Sequence, residues 1–172
     1  GLRPVEQPPA VRDQIRGLVR RQTTLFTTVI APALESVGIV FSNWDDLDEN
    51  DRAYLIEVFH ARVFPVLTPL AVDPAHPFPY ISNLSLNLAV QVLDPTTNEQ
   101  RFARVKVPPL LPRFVVMPDN LRFVPLEQVI AAHLDQLFPG MEITAQYPFR
   151  VTRDADFALD DLNDLRARGT PR

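Results

Sequence analysis

The order of its patterns predicts an α+β chain: a long N-terminal helix and a second helix, then an antiparallel sheet of hairpins with one covering helix. Three observations carry that prediction. Apolar residues recur at three- and four-residue steps through the first third of the chain. A proline-rich stretch, Phe64–Tyr80, then interrupts, and from Leu84 the pattern alternates every two residues.

The first helix begins near Pro9, where a missing backbone donor does no harm. Val11, Ile15, Leu18, Gln22, Leu25 and Val29 follow helical spacing, and Phe26 and Ile30 widen the stripe. Arg12, Arg16, Arg20 and Arg21 lie mostly off it. Pro32 is expected to kink or divide the helix, and Gly38 to end it as the residue after the cap. Ile39–Ser42 reads as a short apolar strand, followed by an acidic turn through Asp45 and Asp46. Asp48 is placed to cap a second helix, with Glu49 and Asp51 in its first turn and Tyr54, Leu55, Val58, Phe59 and Val63 on its buried face. Pro65 halts it. Five of the eighteen prolines fall within FPVLTPLAVDPAHPFP, so Phe64–Tyr80 is expected to be an ordered, non-helical crossing.

Beyond it, Leu84, Leu86, Leu88 and Val90 alternate with Ser85, Asn87, Ala89 and Gln91, a strand with one apolar face. The turn residues Asp94–Asn98 and the alternating Phe102–Val107 complete a hairpin. Pro108, Pro109 and Pro112 form a stiff connector. Arg113–Met117 and Leu121–Val124 flank Pro118-Asp119-Asn120 as a second hairpin. Pro125 opens the covering helix, with Val129, Ile130, His133, Leu134 and Leu137 facing inward, and Pro139-Gly140 closes it. Met141–Thr152 is a further strand, broken or bulged at Pro148. Asp156–Arg168 has a weak helical pattern, and Gly169–Arg172 is expected to fray.

The bulk numbers narrow the function. With 172 residues and 46% hydrophobic content the chain can bury a core as one domain or as pieces of two. A net charge of −4 argues against a general nucleic-acid or anionic-membrane binder. No apolar run reaches the roughly 18–20 residues of a membrane span, and the N-terminus has no signal-peptide core. The absence of cysteine excludes disulfides and thiolate metal sites. A cytoplasmic location is the expectation.

Several long stretches carry a resemblance: FPVLTPLAVDPAHPFPYISNLSLNLAV (Phe64–Val90), FARVKVPPLLPRFV (Phe102–Val115), FVPLEQVIAAHLDQLFPGMEI (Phe123–Ile143) and FRVTRDADF (Phe149–Phe157). In them the chain resembles the bacterial, long-chain-synthesising polyphosphate kinases, from the end of their N-terminal helical domain into the first part of their middle domain. On that resemblance residues 1–38 are the last helical part of the N-terminal domain, and residues 39–172 are a partial middle domain used in dimerisation and scaffolding. The parent reaction passes the terminal phosphate of ATP reversibly to polyphosphate through a phosphohistidine, with Mg²⁺. The family's phosphohistidine, metal and phosphate residues lie in two C-terminal domains with no counterpart in these residues, so the resemblance implies no catalytic residue here. It also implies that the first helix finds its helical partner in the family's N-terminal domain, and that the chain's partner is the remainder of the enzyme. After FRVTRDADF the family continues with an acidic helix and a strand, whereas FALDDLNDLRARGTPR departs from that pattern. Truncation, a degraded or frameshifted gene, or sequence joined across a gap would each give such an ending.

The residues offer few catalytic signals of their own. His60 and His133 lie on helices without metal-ligand spacing, and His76 lies in the proline-rich crossing, where holding the loop is the plainer role. No GxxxxGK[ST] or GxGxxG phosphate loop occurs. The segment Arg101–Arg122 contains Arg101, Arg104, Lys106, Arg113 and Arg122 against one acid, Asp119. Arg104 and Lys106 share a strand face. That face is either a solvated exterior or, with Arg113, a polyanion contact, since Arg forks suit phosphate oxygens. Arg150 and Arg153 are further candidates, with an ion pair to Asp154 or Asp156 the plainer role for Arg153; those two carboxylates alone make a weak Mg²⁺ site. Two functions follow. The first is an inactive scaffold or interface portion of a polyphosphate kinase, with homo-oligomerisation possible. The second is a free-standing polyphosphate-binding or regulatory module without turnover.

Overall fold

In a computed structural model, residues 7–72 and 81–152 are described. His76, Arg153, Asp154, Asp156 and the weak C-terminal helix lie outside them.

The first helix runs as α1 (Gln7–Leu25), a π turn (Phe26–Ile30) and α2 (Ala31–Glu35). Of the kink or division expected at Pro32, the division is seen: the π turn separates α1 from α2 ahead of the proline, and in it the Ala31 N–H reaches back to the Phe26 carbonyl. Widening the helix one turn ahead of a proline gives room to a residue that has no donor and crowds the preceding turn. Gly38 ends the helix as expected, at φ +86°. The Gly38 N–H bonds the Glu35 carbonyl and the Ile39 N–H bonds the Leu34 carbonyl, which satisfies two terminal acceptors.

The strand β1 (Val40–Phe41) and one 3₁₀ turn lead to α3 (Glu49–Val58), and the Asp48 side chain accepts from the Asp51 N–H at 2.9 Å as the cap. A second π turn (Phe59–Val63) and a 3₁₀ turn (Phe64–Val66) continue α3. Leu55, Phe59 and Val63 are buried on the predicted face. The crossing, expected to be ordered and non-helical, opens with that 3₁₀ turn and continues as a strand, and its residues 73–80 lie outside the described residues. Pro69–Val72 is a strand, β2, paired antiparallel to β4 (Glu99–Lys106) at the rim of a sheet. Proline is tolerated there as the first residue of an edge strand, where no ladder donor is needed.

The larger sheet has the order β2-β4-β3-β7, with β3 spanning Leu86–Asp94 and β7 spanning Glu142–Arg150. The predicted hairpin is β3 and β4, closed by Asp94, whose carboxylate accepts from the Thr96 and Thr97 N–H groups, and by Asn98 at φ 55°. Leu84 does not join β3; it is exposed and turns at φ 58°. Nor does Pro148 break β7. That strand is at the sheet edge, and the irregularity falls instead at Gln91/Val92, opposite Thr144.

A second, three-stranded sheet has the order β1-β6-β5, from β5 (Phe114–Val116) and β6 (Arg122–Pro125), with β1 parallel to β6. The α+β class stands, while the strands divide between two sheets and include one parallel pair. The covering helix also divides, into α4 (Leu126–Ala131) and α5 (Leu134–Leu137). Its inner face packs Val129, Ile130 and Leu134 against Leu88, Val90, Val92, Ala103 and Val105 of the larger sheet and against Leu55 and Phe59 of α3. Burying these side chains contributes about 1.5–3 kcal/mol each for the Val, Leu, Ile and Phe residues. The first helix stands apart from this core: Leu18 is 62% exposed and Val29 54%. Phe26 against Phe41, with ring centroids 5.6 Å apart, ties its end to the small sheet.

Candidate functional site: a basic cleft at the end of the larger sheet

Strand β3 is the central positioner. Its first residues have β4 on one side and β7 on the other: Leu86 is in register with Arg150, and Asn87 with Lys106. The ladder is prolonged on both sides by backbone bonds, Val107 N–H to the Leu86 carbonyl at 3.0 Å and Leu84 N–H to the Val151 carbonyl at 2.8 Å. Ahead of β3, the Ser85 hydroxyl donates to the Ser82 carbonyl at 2.8 Å, and the Asn87 amide donates to both the Ser85 carbonyl and its hydroxyl oxygen. Asn87 is fully buried, which locks this turn to the strand.

These elements frame a cleft of about 410 Å³ whose lining includes Ser82, Leu84, Lys106, Arg113 and Arg150. Three of the five basic candidates, Lys106, Arg113 and Arg150, therefore come together. Arg113 is held by Glu127 at 2.9 Å. Among the described residues no carboxylate lies within ion-pair distance of Lys106 or Arg150. Arg104 does not join them. It shares the outer sheet face with Lys106, yet only 7% of it is exposed, so the solvated face expected from alternation is closed at that point. Arg153 lies outside the described residues. Arg122, at the other sheet, is engaged by Asp51 and Asp119.

Sequence reasoning missed the Ser82–Asn87 support. Asn87 falls in the polar set of the alternating strand and so reads as solvent-facing, and its burial and its bonds to Ser85 have no signature in that alternation.

The histidines take packing roles. His133 is 4% exposed, donates from Nδ1 to the Val129 carbonyl at 2.7 Å, and stacks on Phe59 at 4.4 Å between centroids. Trp44 meets its ring edge-on. His60 is exposed beside Phe59. Among the described residues no group of three His, Asp or Glu side chains could hold a metal ion. Among them, too, no helix is long and apolar enough to cross a membrane.

The polyphosphate kinase middle-domain family model matches residues 50–168. The chain belongs to the polyphosphate kinase family. It is 52% identical to a polyphosphate kinase of Streptomyces coelicolor over 167 residues, which is 96% of this chain and 22% of the relative. It is 48% identical to a polyphosphate kinase of Aphanizomenon baltica, over 96% of this chain and 46% of that protein. The crystal structure of a polyphosphate kinase from Porphyromonas gingivalis superposes with a TM-score of 0.75 at 33% identity, covering 91% of this chain and 26% of the other. The chain thus spans less than half the length of these relatives. The α+β body described above is the fold of a polyphosphate kinase middle-domain segment.

Proposed function

We propose that this segment is the scaffold and interface portion of a cytoplasmic polyphosphate kinase, and that it catalyses nothing alone. Residues 1–38 then belong to the helical N-terminal domain and residues 39–172 to the middle domain. The whole enzyme transfers the terminal phosphate of ATP to polyphosphate, reversibly and with Mg²⁺, using residues in the rest of its length. The observation that carries this reading is the first helix. It leaves a packed body with Val11, Ile15, Leu18, Leu25 and Val29 all more than half exposed. A contiguous apolar stripe of that kind is a surface built to be covered. Its natural cover is another part of a polyphosphate kinase chain, since this segment is only 22% of its Streptomyces relative.

The test is an assay of the purified 172-residue chain with ATP, Mg²⁺ and a polyphosphate primer. No ATP-dependent chain growth is expected, and growth above the blank would sink the scaffold reading.

A further inference from the structure

We infer that the cleft formed by Lys106, Arg113 and Arg150 is a binding site for a condensed phosphate chain, engaging two or more phosphoryl groups at once. The inference rests on the family reading for the choice of a condensed phosphate, but its geometry is independent of catalysis. Lys106 and Arg150 flank the first residues of β3 from opposite neighbouring strands. Their backbones are therefore about 10 Å apart, two strand spacings. Strand alternation also sends them to opposite faces, so that they straddle the sheet end on either side of the cleft. A single tetrahedral oxyanion meets one such cation well. A linear polyanion meets both, and Arg113 with them.

Electrostatics favour the same ligand. The cleft gathers three cations and its Ser82 and Ser85 lining adds neutral polar groups, while the chain as a whole carries −4. The Arg113–Glu127 pair has room to adapt. Glu127 Oε2 is buried without a hydrogen-bond partner, and the Arg113 side chain is 46% exposed. Arg113 can therefore keep one N–H on Glu127 and offer its remaining donors to a phosphoryl oxygen. The volume of about 410 Å³ is that of a ligand cleft. Nothing in this step needs a bond to be made or broken.

Calorimetric titration of the full chain with sodium tripolyphosphate, orthophosphate and citrate tests the inference. Tripolyphosphate is expected to bind at least about tenfold more tightly than either comparison anion, with affinity falling as salt rises. Lys106→Gln and Arg150→Gln are each expected to weaken tripolyphosphate about tenfold, the size of one charge-assisted hydrogen bond. Both positions are at the sheet margin, and an unchanged thermal midpoint verifies that each variant is folded. The control is Arg20→Gln with Arg21→Gln on the exposed first helix, which should leave binding unchanged. Orthophosphate binding as tightly as tripolyphosphate overturns the inference. So does an equal loss in the helix control, which marks general charge attraction, and so does no loss in the two cleft variants. Because the titration contains no ATP, its failure is distinct from polyphosphate synthesis in the scaffold assay.

Discussion

The Arg122 guanidinium meets two carboxylates from distant parts of the chain, Asp51 in the first turn of α3 and Asp119 in the turn before β6. One N–H group reaches Asp51 Oδ1 at 2.8 Å and a second reaches Oδ2, a planar fork on a carboxylate that is nearly buried. Removing Asp51 deletes both bonds of this fork and leaves Arg122 with Asp119 alone, so Asp51→Ala is expected to destabilise the fold by about 1.5–3 kcal/mol. The check is a lower urea midpoint at constant m-value. Asp119 is held down from an ordinary 3.8 to about 2, first by the Arg122 side chain and then by the backbone N–H groups of Arg122 and Leu121. A depressed carboxyl pKa stabilises the native state above the unfolded value and loses that effect as pH falls through the folded one. Stability should therefore fall between pH 3.8 and about 2, and Asp119→Asn should flatten that part of the pH profile of unfolding. At this scale the Asp48 cap was legible because donor and acceptor are three residues apart, whereas the Asp51–Arg122 fork joins residues 71 apart and has no local signature.

Element boundaries were legible where one residue dictates backbone geometry. Gly38 closes the first helix at φ +86°, and a Cβ there would meet Leu121 at an ordinary 3.8 Å. The expected cost of Gly38→Ala is then conformational, about 1–2 kcal/mol. Gly17 lies inside α1 with nothing within 4 Å, so Gly17→Ala should instead favour the helix by about 0.5–1 kcal/mol. Amide exchange separates the two: protection falls near residue 38 in the first variant and rises along α1 in the second. Boundaries were misread where pairing decides. Pro69–Val72 has too many neighbouring prolines to read as a strand, yet it needs only one partner, β4, and an edge strand tolerates the missing donor. Leu84 carries an apolar side chain in phase with Leu86, but the turn held by Ser82 and Ser85 takes it out of the strand. The cleft was legible in part. The density of Arg and Lys between Arg101 and Arg122 marked its cations, but Arg104, in perfect phase with Lys106, is closed off from solvent by a fold that alternation alone does not describe.

For the molecule as a whole, the buried cluster of the described residues begins at Leu47 and ends at Leu134, and among them no residue of the first helix belongs to it. Helix and body are therefore separable in energy, joined by the Phe26–Phe41 contact and the Gly38 closure. Deleting residues 1–38 should leave a cooperatively unfolding body whose stability is within about 1 kcal/mol of the intact chain, because the lost contacts are few and exposed. The same separation governs association. An uncovered stripe through Leu18, Leu25 and Val29 hides its apolar surface most readily against a second copy. Light scattering across a concentration series should then show reversible association of the intact chain. The deletion should abolish it, and so should the triple change Leu18→Gln, Leu25→Gln and Val29→Gln, without loss of the body's melting transition. Association that survives in the triple variant would place the contact on the body and would remove the helix stripe as the surface of self-association.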